Sequence, residues 1–237
     1  MVVASDIQLS IGRPCFVTPA GKLSGYLAHP SGVEQCPAVL IIHENTGLNA
    51  HIEGLVRRFA QEGFVAFALD ALSPQGGTPA DEDQARALIS NLDENENRTN
   101  YLASLDYLRG VPGSNGKVAS VGFCWGGQVS GELAITDPNL DAAVIYYGKS
   151  PDPARVPDIA APLLLHYGEQ DDRINETVPE FQKALEQHDK RFSLHMYKGA
   201  GHAFNNDSRQ DRYNANAAAE SWKRTISFLT DELISGN

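Results

Sequence analysis

The sequence feature that most constrains the fold is the stretch over residues 117–128, KVASVGFCWGGQ. It begins as an apolar, β-branched run, which is typical of a buried strand. It then breaks into Gly-x-Cys-x-Gly-Gly and continues as a predicted helix over residues 128–136. A strand, a sharp turn and a helix in this order are the context of a nucleophile elbow, with Cys124 at the turn.

The glycines on either side of Cys124 have a steric explanation. In such an elbow the residues two before and two after the nucleophile pass close together, so a Cβ at Gly122 or Gly126 would clash. The turn also places the thiol at a helix N-terminus, which favours the thiolate and offers N–H groups to an oxyanion. A buried cysteine is often only a small apolar side chain. The strand–turn–helix context favours the nucleophile over that alternative.

Apolar runs alternate with helical patterns along almost the whole chain. Short antiparallel strands are predicted first, over residues 6–11, 13–18 and 23–28. Buried strands are then predicted over residues 37–42, 64–69 and 117–121, and further strands over residues 140–147, 162–167 and 192–197. Helices are predicted over residues 49–62, 81–92, 95–108, 128–136, 178–188 and 213–233. This alternation predicts an α/β fold with a mostly parallel central sheet and helices on both faces.

Length and composition restrict the class of protein. A chain of 237 residues suits one large domain or two small ones, and the absence of a linker or repeat favours a single domain over residues 1–237. A net charge of −11 argues against nucleic acid or an anionic membrane as a partner. The first 14 residues lack the pattern of a signal peptide, and no apolar run approaches the roughly 18 residues of a membrane helix. We therefore expect a cytoplasmic protein.

Cysteine and histidine spacing argues against a metal site. The three cysteines, Cys15, Cys36 and Cys124, lie far apart, unlike those of a disulfide framework or a zinc site. The pair His43-Glu44 invites a metal interpretation, but no second histidine lies four residues away and no carboxylate cluster completes a site. We expect no metal.

Two residues beyond Cys124 complete a candidate catalytic triad. A nucleophilic cysteine needs a base that shares its proton, and the base needs an orienting acid. Asp171 lies in a Gly-x-x-Asp turn after a predicted strand, and His202 lies in a Gly-His-Ala-Phe loop after the last strand. The order nucleophile, acid, base is that of α/β-hydrolases. Asp172 is a competing acid, which spacing hardly separates from Asp171.

Two backbone N–H groups are candidates for an oxyanion hole. One belongs to Trp125, directly after the cysteine, and the other to a residue of the loop that follows the strand over residues 37–42. Asn45 is the strongest candidate in that loop. The alternative for Asn45 is an ordinary turn residue.

At these positions the chain resembles the dienelactone hydrolase family. The matching features are Glu44 after an apolar strand and the segments GFCWGG at 122–127, GEQD at 168–171 and GHAF at 201–204. The resemblance covers about residues 20–235. It implies the α/β-hydrolase fold and hydrolysis of a small-molecule ester or lactone without a cofactor.

The resemblance also implies roles for individual residues. It implies a catalytic triad of Cys124, Asp171 and His202 and an oxyanion hole made by Asn45 and Trp125. In the family the equivalent of Glu44 pairs with the resting cysteine. We hypothesise that Glu44 gates the thiol, because a nearby carboxylate repels the thiolate and can accept the S–H as a hydrogen bond. The alternative is that Glu44 caps or braces its loop and never contacts the sulfur.

The chain departs from the family pattern where the founding enzymes bind a substrate carboxylate with two arginines. One corresponding loop reads DALSP over residues 70–74, and the other position is Asn206. Arg86, Arg173 or Arg209 is the alternative source of a cation for a substrate carboxylate. Without such a substitute, a neutral ester, a lactone or another activated acyl compound is the expected substrate. Weak phosphotriester hydrolysis is a side hypothesis, because the same geometry could accept a phosphoryl centre.

Other cysteine-based proteins are the alternatives. Amidotransferases place their acid two residues beyond the histidine, where this chain has Phe204, and DJ-1-like proteins pair the cysteine with an upstream glutamate, which Glu44 mimics. A redox sensor using Cys124 would be non-enzymatic. An intact pair of Asp171 and His202 favours the hydrolase, which we expect to be a monomer or a homodimer.

Overall fold

The computed structural model describes residues 7–18 and 21–235. Within that part, the chain divides into two compact units. The first runs to residue 41 and continues from 47 to 118, and the second comprises residues 42–46 and everything from 119 onward. The single domain over residues 1–237 stays a prediction.

The strands of the first unit begin with antiparallel pairs and end with a parallel one. They are β1 (Leu9–Gly12), β2 (Cys15–Thr18), β3 (Gly21–Pro30), β4 (Cys36–Ile42) and β5 (Val65–Leu69). β1 and β2 both pair antiparallel with β3, which pairs antiparallel with β5, and β5 runs parallel to β4. The predicted antiparallel start of the chain is confirmed. The first residue of the first predicted strand, Asp6, lies outside the described residues.

Each α-helix of the first unit follows a polar residue that caps its N-terminus. They are α1 (Ala50–Gln61), α2 (Glu82–Ser90) and α3 (Glu94–Gly110), with a 3-10 turn (Ser73–Gln75) in the loop before α2. The Asn49 side chain accepts a hydrogen bond from the N–H of Ile52 at 3.2 Å, and Asp81 and Asp93 cap α2 and α3 in the same way. The apolar residues of α1 recur at helical spacing and form a buried stripe: Ile52, Leu55, Val56 and Phe59.

The second unit is built on consecutive parallel strands. β6 (Ser114–Phe123) enters it from the first unit, and β7 (Ala142–Tyr146), β8 (Leu163–Gly168) and β9 (Phe192–Tyr197) follow. Each of these strands pairs in parallel with the next. β7 and β8 are buried along their whole length, as their continuous apolar runs predict. The carboxyl ends of parallel strands share one edge of a sheet, and this edge is where ligands bind in such folds.

The helices of the second unit correct two sequence expectations. They are α4 (Trp125–Thr136), α5 (Asp172–Asn175), α6 (Val178–Gln187) and α7 (Ala215–Thr230), with a 3-10 turn (Pro153–Asp158) and a π-helical turn (Asp231–Ser235). α4 begins at Trp125 rather than at residue 128, because the chain reverses at a single residue, Cys124. α5 was not predicted, because its four residues are too few to show a helical period. No helix of the described chain is both long and apolar enough to cross a membrane.

A chain of buried polar groups lies within the second unit. His166 of β8 is fully buried; its Nε2 lies 3.0 Å from Oγ1 of Thr225, and its Nδ1 lies 2.9 Å from the hydroxyl of Tyr197. The hydroxyl of Tyr146 lies 2.7 Å from the same Oγ1 atom. Burial lowers the pKa of His166 well below 6.5, and the charges of His195 and Arg224 lower it further. His166 is therefore neutral in the folded protein.

A neutral buried His166 predicts a loss of stability in acid. Below about pH 6.5 the unfolded chain binds a proton at this histidine and the folded chain does not, so the free energy of unfolding falls. We expect His166→Gln to be less stable at pH 7.5, since a buried hydrogen bond is lost, but to lose less stability than the wild type between pH 6.5 and 5. The difference in slope should approach about 1.4 kcal/mol per pH unit at most. Urea unfolding at several pH values measures it.

The matched control is His188→Gln, because His188 is exposed at the end of α6. Each variant lacks one histidine, buried in His166→Gln and exposed in His188→Gln, so comparing their curves separates the effect of burial from the loss of a histidine. Equal slopes for His166→Gln and the wild type would contradict the prediction.

Candidate active site

Cys124 joins β6 to α4 with a strained backbone. Its φ is 55° and its ψ is −115°, a region that residues other than glycine rarely adopt. Its N–H donates to the carbonyl of Tyr146 at 3.0 Å, and its own carbonyl accepts from the N–H of Gly127 at 2.9 Å. These bonds on both sides of the residue hold the strained conformation in place.

The steric argument for the flanking glycines is confirmed. A Cβ on Gly122 would lie 1.9 Å from the carbonyl oxygen of Gly126. A Cβ on Gly126 would lie 2.3 Å from the carbonyl oxygen of Ile42 and 2.5 Å from that of His43. Gly126 therefore also lets the end of β4 approach the start of α4, which the motif alone did not reveal.

The structure brings together the three residues of the predicted triad. Nε2 of His202 lies 3.0 Å from Sγ of Cys124, and Nδ1 of the same ring lies 2.5 Å from Oδ2 of Asp171. Asp171 is only 6% exposed, whereas Asp172 is exposed at the first position of α5. Of the two candidate acids, Asp171 is the one that contacts the histidine.

Backbone contacts bind the turn that carries the acid to the loop that carries the histidine. The N–H of Gln170 donates to the carbonyl of Ala200 at 2.9 Å. A Cβ on Gly168 would lie 2.6 Å from that same carbonyl oxygen and 2.7 Å from that of Gly201. Glycine at residue 168 is therefore what allows the ends of β8 and β9 to place Asp171 beside His202.

The environment of His202 favours its charged form. Burial lowers its pKa, but the hydrogen bonds to Asp171 and Cys124 and the negative charges of both groups outweigh burial and raise the pKa to about 9. At pH 7 the ring is therefore mostly an imidazolium, placed where it can stabilise a negative charge on the sulfur.

The predicted oxyanion residues flank the same cysteine. Trp125 is the first residue of α4, and the first N–H groups of a helix point out of its N-terminal end. Asn45 is exposed in the turn after β4. It follows Ile42 and His43, whose carbonyl oxygens lie where a Cβ of Gly126 would be. Their role as oxyanion donors stays a prediction.

Glu44 is buried beside the triad, but it contacts different residues from those expected. The side-chain N–H of Asn206 donates to its Oε2 at 2.7 Å, and the hydroxyl of Tyr147 donates to its Oε1 at 3.4 Å. Within the described chain, the hydrogen bonds of the Glu44 side chain go to these two residues, while the side chain of Cys124 bonds to His202. A gating effect of Glu44 in this arrangement has to act through charge rather than through a hydrogen bond to sulfur.

Tyr147 and Asn206 are site residues that the sequence reasoning did not assign. Burial raises the pKa of Tyr147 well above 10, and the negative charges of Glu44 and Cys124 raise it further, so the phenol stays protonated and donates. Its ring lies edge-on to the His202 ring at 5.3 Å. Tyr147 directly follows β7, so the rule that selected the other residues at strand ends could have found it. In the sequence, Asn206 was identified only as the position where the founding enzymes of the family carry an arginine.

Cysteine, histidine and aspartate at the ends of parallel strands are the arrangement of hydrolases with the α/β-hydrolase fold. A solved structure of this fold supports that class. The structure described as "Putative Dienelactone Hydrolase" from Klebsiella pneumoniae has a TM-score of 0.86 at 28% identity, covering 94% of this chain and 99% of that one.

The family model of the dienelactone hydrolase family matches residues 23–233, so the chain belongs to that family. The Escherichia coli K12 protein named "Putative carboxymethylenebutenolidase" is 32% identical, covering 97% of this chain and 90% of its own length. A Bradyrhizobium protein named "Probable 2-oxo-3-(5-oxofuran-2-ylidene)propanoate lactonase" is 30% identical, covering 86% of this chain and 87% of its own length. The implied family and fold are thereby confirmed, and the chain is a hydrolase.

The contact between Asp171 and His202 predicts unequal effects of two neighbouring substitutions. Asp171→Asn replaces the acceptor with an amide that favours the wrong imidazole tautomer, and in serine proteases the equivalent change costs about 10⁴ in kcat. We expect a loss of that order here, and less than a threefold change for Asp172→Asn. The measurement is kcat for an aryl ester at pH 7.5.

The pH profile supplies a second readout for the same variants. Wild-type activity should decline as pH rises through about 9, where His202 loses its proton. Asp171→Asn removes a group that raises the pKa of His202, so its decline should begin at lower pH. Equal losses for the two variants would reassign the acid.

Proposed function

We propose that the chain hydrolyses uncharged carboxylic esters or lactones of small molecules through a thioester at Cys124. The observation that carries this proposal is the position of His202, 3.0 Å from the sulfur on one side and 2.5 Å from Asp171 on the other. Membership of the dienelactone hydrolase family and the names of the two relatives support an ester or a lactone as substrate.

The first half of the proposed reaction acylates the cysteine. The thiolate of Cys124 attacks the substrate carbonyl, and the N–H groups of Trp125 and Asn45 donate to the resulting oxyanion. As the tetrahedral intermediate collapses, the C–O bond to the leaving group breaks and the imidazolium of His202 protonates the departing alkoxide. The products of this half are an alcohol and a thioester, with a neutral His202.

The second half releases the acid. Neutral His202, held by Asp171, takes a proton from a water molecule as its oxygen attacks the thioester carbonyl. Collapse of the second tetrahedral intermediate breaks the C–S bond and returns the thiolate of Cys124 beside a protonated His202. In a lactone both products are parts of one molecule, a hydroxy acid.

The charges around the site favour an uncharged substrate. Glu44 is a buried carboxylate whose partners, Asn206 and Tyr147, are both neutral. At the position where the founding enzymes carry an arginine, this chain has an amide that is already engaged by Glu44. A substrate carboxylate close to Glu44 would be repelled without a compensating cation from these partners.

The test of the proposed function is a substrate panel with wild type and Cys124→Ala. It contains p-nitrophenyl butyrate, the similarly sized but anionic p-nitrophenyl hemisuccinate, a five-membered lactone and an aryl phosphotriester. We expect Cys124→Ala to abolish turnover while its thermal unfolding stays within a few degrees of the wild type. We expect kcat/KM for the butyrate to exceed that for the hemisuccinate at least tenfold, about 1.4 kcal/mol.

Each arm of the panel separates the proposal from an alternative. Unchanged ester turnover by Cys124→Ala would eliminate the cysteine nucleophile. A wild type whose cysteine oxidises readily but which turns over no ester or lactone would favour the redox sensor. Phosphotriester turnover that depends on Cys124 would support the side hypothesis of phosphoryl chemistry.

Glu44 supplies a separate prediction about the resting thiol. We propose that its negative charge disfavours the thiolate before substrate binds, because Glu44 is a buried carboxylate whose hydrogen-bond partners, Asn206 and Tyr147, are both neutral. Glu44→Gln removes the charge and keeps a side chain of the same shape. We expect the variant to be alkylated by iodoacetamide several-fold faster at pH 7 in the absence of substrate. The pH profile of the alkylation rate should move towards lower pH.

The matched control is Glu180→Gln, an exposed glutamate in the first turn of α6. It should leave the profile unchanged. A profile for Glu44→Gln that stays in place or moves to higher pH would eliminate gating by charge without affecting the triad.

A further inference from the structure

His43 is a fully buried histidine that the proposed reaction does not use. It follows β4 and precedes the two residues to which roles were assigned, Glu44 and Asn45. Its Nδ1 lies 2.7 Å from the carbonyl oxygen of Glu44. A carbonyl oxygen only accepts, so Nδ1 carries the proton and donates this hydrogen bond.

This hydrogen bond sets the orientation of one peptide group. The carbonyl of Glu44 and the N–H of Asn45 belong to the same planar peptide, and in a trans peptide they point in opposite directions. The described chain contains no cis peptide. Holding the carbonyl towards the ring of His43 therefore directs the N–H of Asn45 away from that ring. If this peptide rotated by half a turn, the carbonyl oxygen of Glu44, an acceptor, would take the place of the N–H of Asn45, a donor.

The same ring also contacts the residue that carries the other candidate donor. The rings of His43 and Trp125 stack with centroids 5.3 Å apart and planes inclined by 19°. The backbone on either side is closely packed, since the carbonyl oxygens of Ile42 and His43 lie where a Cβ of Gly126 would be. One buried side chain thus contacts both segments from which the oxyanion donors come.

We propose that His43 is a positioning residue. It orients the N–H of Asn45 through its hydrogen bond to the Glu44 carbonyl and packs against the ring of Trp125, so that the backbone N–H groups of Asn45 and Trp125 point to one oxyanion. This inference rests on the proposed acyl transfer, because a hole for an oxyanion matters only in such a reaction. His43 does not touch the reacting atoms. Its loss should lower kcat and leave KM almost unchanged, because the oxyanion forms only after the substrate has bound.

Three substitutions separate the hydrogen bond from the ring. His43→Asn keeps an N–H donor close to the position of Nδ1 and loses the ring. His43→Leu has nearly the shape of asparagine without the donor. His43→Phe keeps a ring that can stack on Trp125 and loses the donor. Loss of one oxyanion donor costs about 10²–10³ in kcat, so we expect His43→Leu and His43→Phe to lose about 10²-fold, and His43→Asn less than tenfold.

Alkylation of Cys124 by iodoacetamide distinguishes a lost oxyanion donor from a general structural defect, because a general defect would also change the alkylation rate. That reaction displaces iodide at a saturated carbon and forms no oxyanion, so it requires the thiolate but not the hole. We expect the rate and the pH profile of alkylation to match the wild type in all three variants, while kcat for p-nitrophenyl butyrate falls in the two that lack the donor. Thermal unfolding is recorded for each protein.

The comparison between leucine and asparagine decides the question. Equal kcat values for His43→Leu and His43→Asn would overturn the inference, and so would a parallel fall of kcat and alkylation rate, which would mean that His43 acts on the nucleophile. If His43→Phe does not fold, the leucine and asparagine pair still decides. A wild type without ester or lactone turnover is a separate result, which contradicts the proposed function itself.

Discussion

The structure of the site depends on the close approach of backbone to backbone at the start of α4. The Gly122 Cα lies against the carbonyl of Gly126, and Gly126 lies against the carbonyls at the end of β4. Only residues without a Cβ allow these distances. Because the chain is so tightly packed there, Cys124 can be held with a positive φ, and the thiol is presented to His202 rather than buried as a small apolar group.

The charge of each buried group in the site depends on its hydrogen-bond partners. His202 lies between an acid and a thiol, and this raises its pKa to about 9 in spite of burial. Glu44 finds an amide and a phenol, which satisfy its hydrogen bonds without neutralising its charge. The consequence is a positive charge beside the sulfur and, close by, a buried carboxylate whose hydrogen-bond partners are both neutral.

Much of the architecture could be predicted because it rests on local patterns. The continuous apolar runs identified buried strands such as β4 and β5, and the partly buried β9 has the predicted bounds of residues 192–197. The cap at Asn49 and the buried stripe of α1 follow from helical periodicity and capping chemistry. The start of α4 at Trp125 was missed, because Gly126 and Gly127 disfavour a helix by propensity and only packing makes them acceptable there.

The sequence by itself determined which residues are candidates for the triad, because an elbow needs its glycines and a triad needs its three side chains in chain order at strand ends. Cys124 and His202 could therefore be proposed without coordinates, with Asp171 or Asp172 as the acid. Only the tertiary structure decided which neighbours those groups meet: Asp171 rather than Asp172 at the histidine, Asn206 and Tyr147 rather than the sulfur at Glu44. The physical reason is that these contacts join residues 31 to 162 positions apart. Their distances are set by how loops pack at one edge of a sheet, which no local pattern encodes.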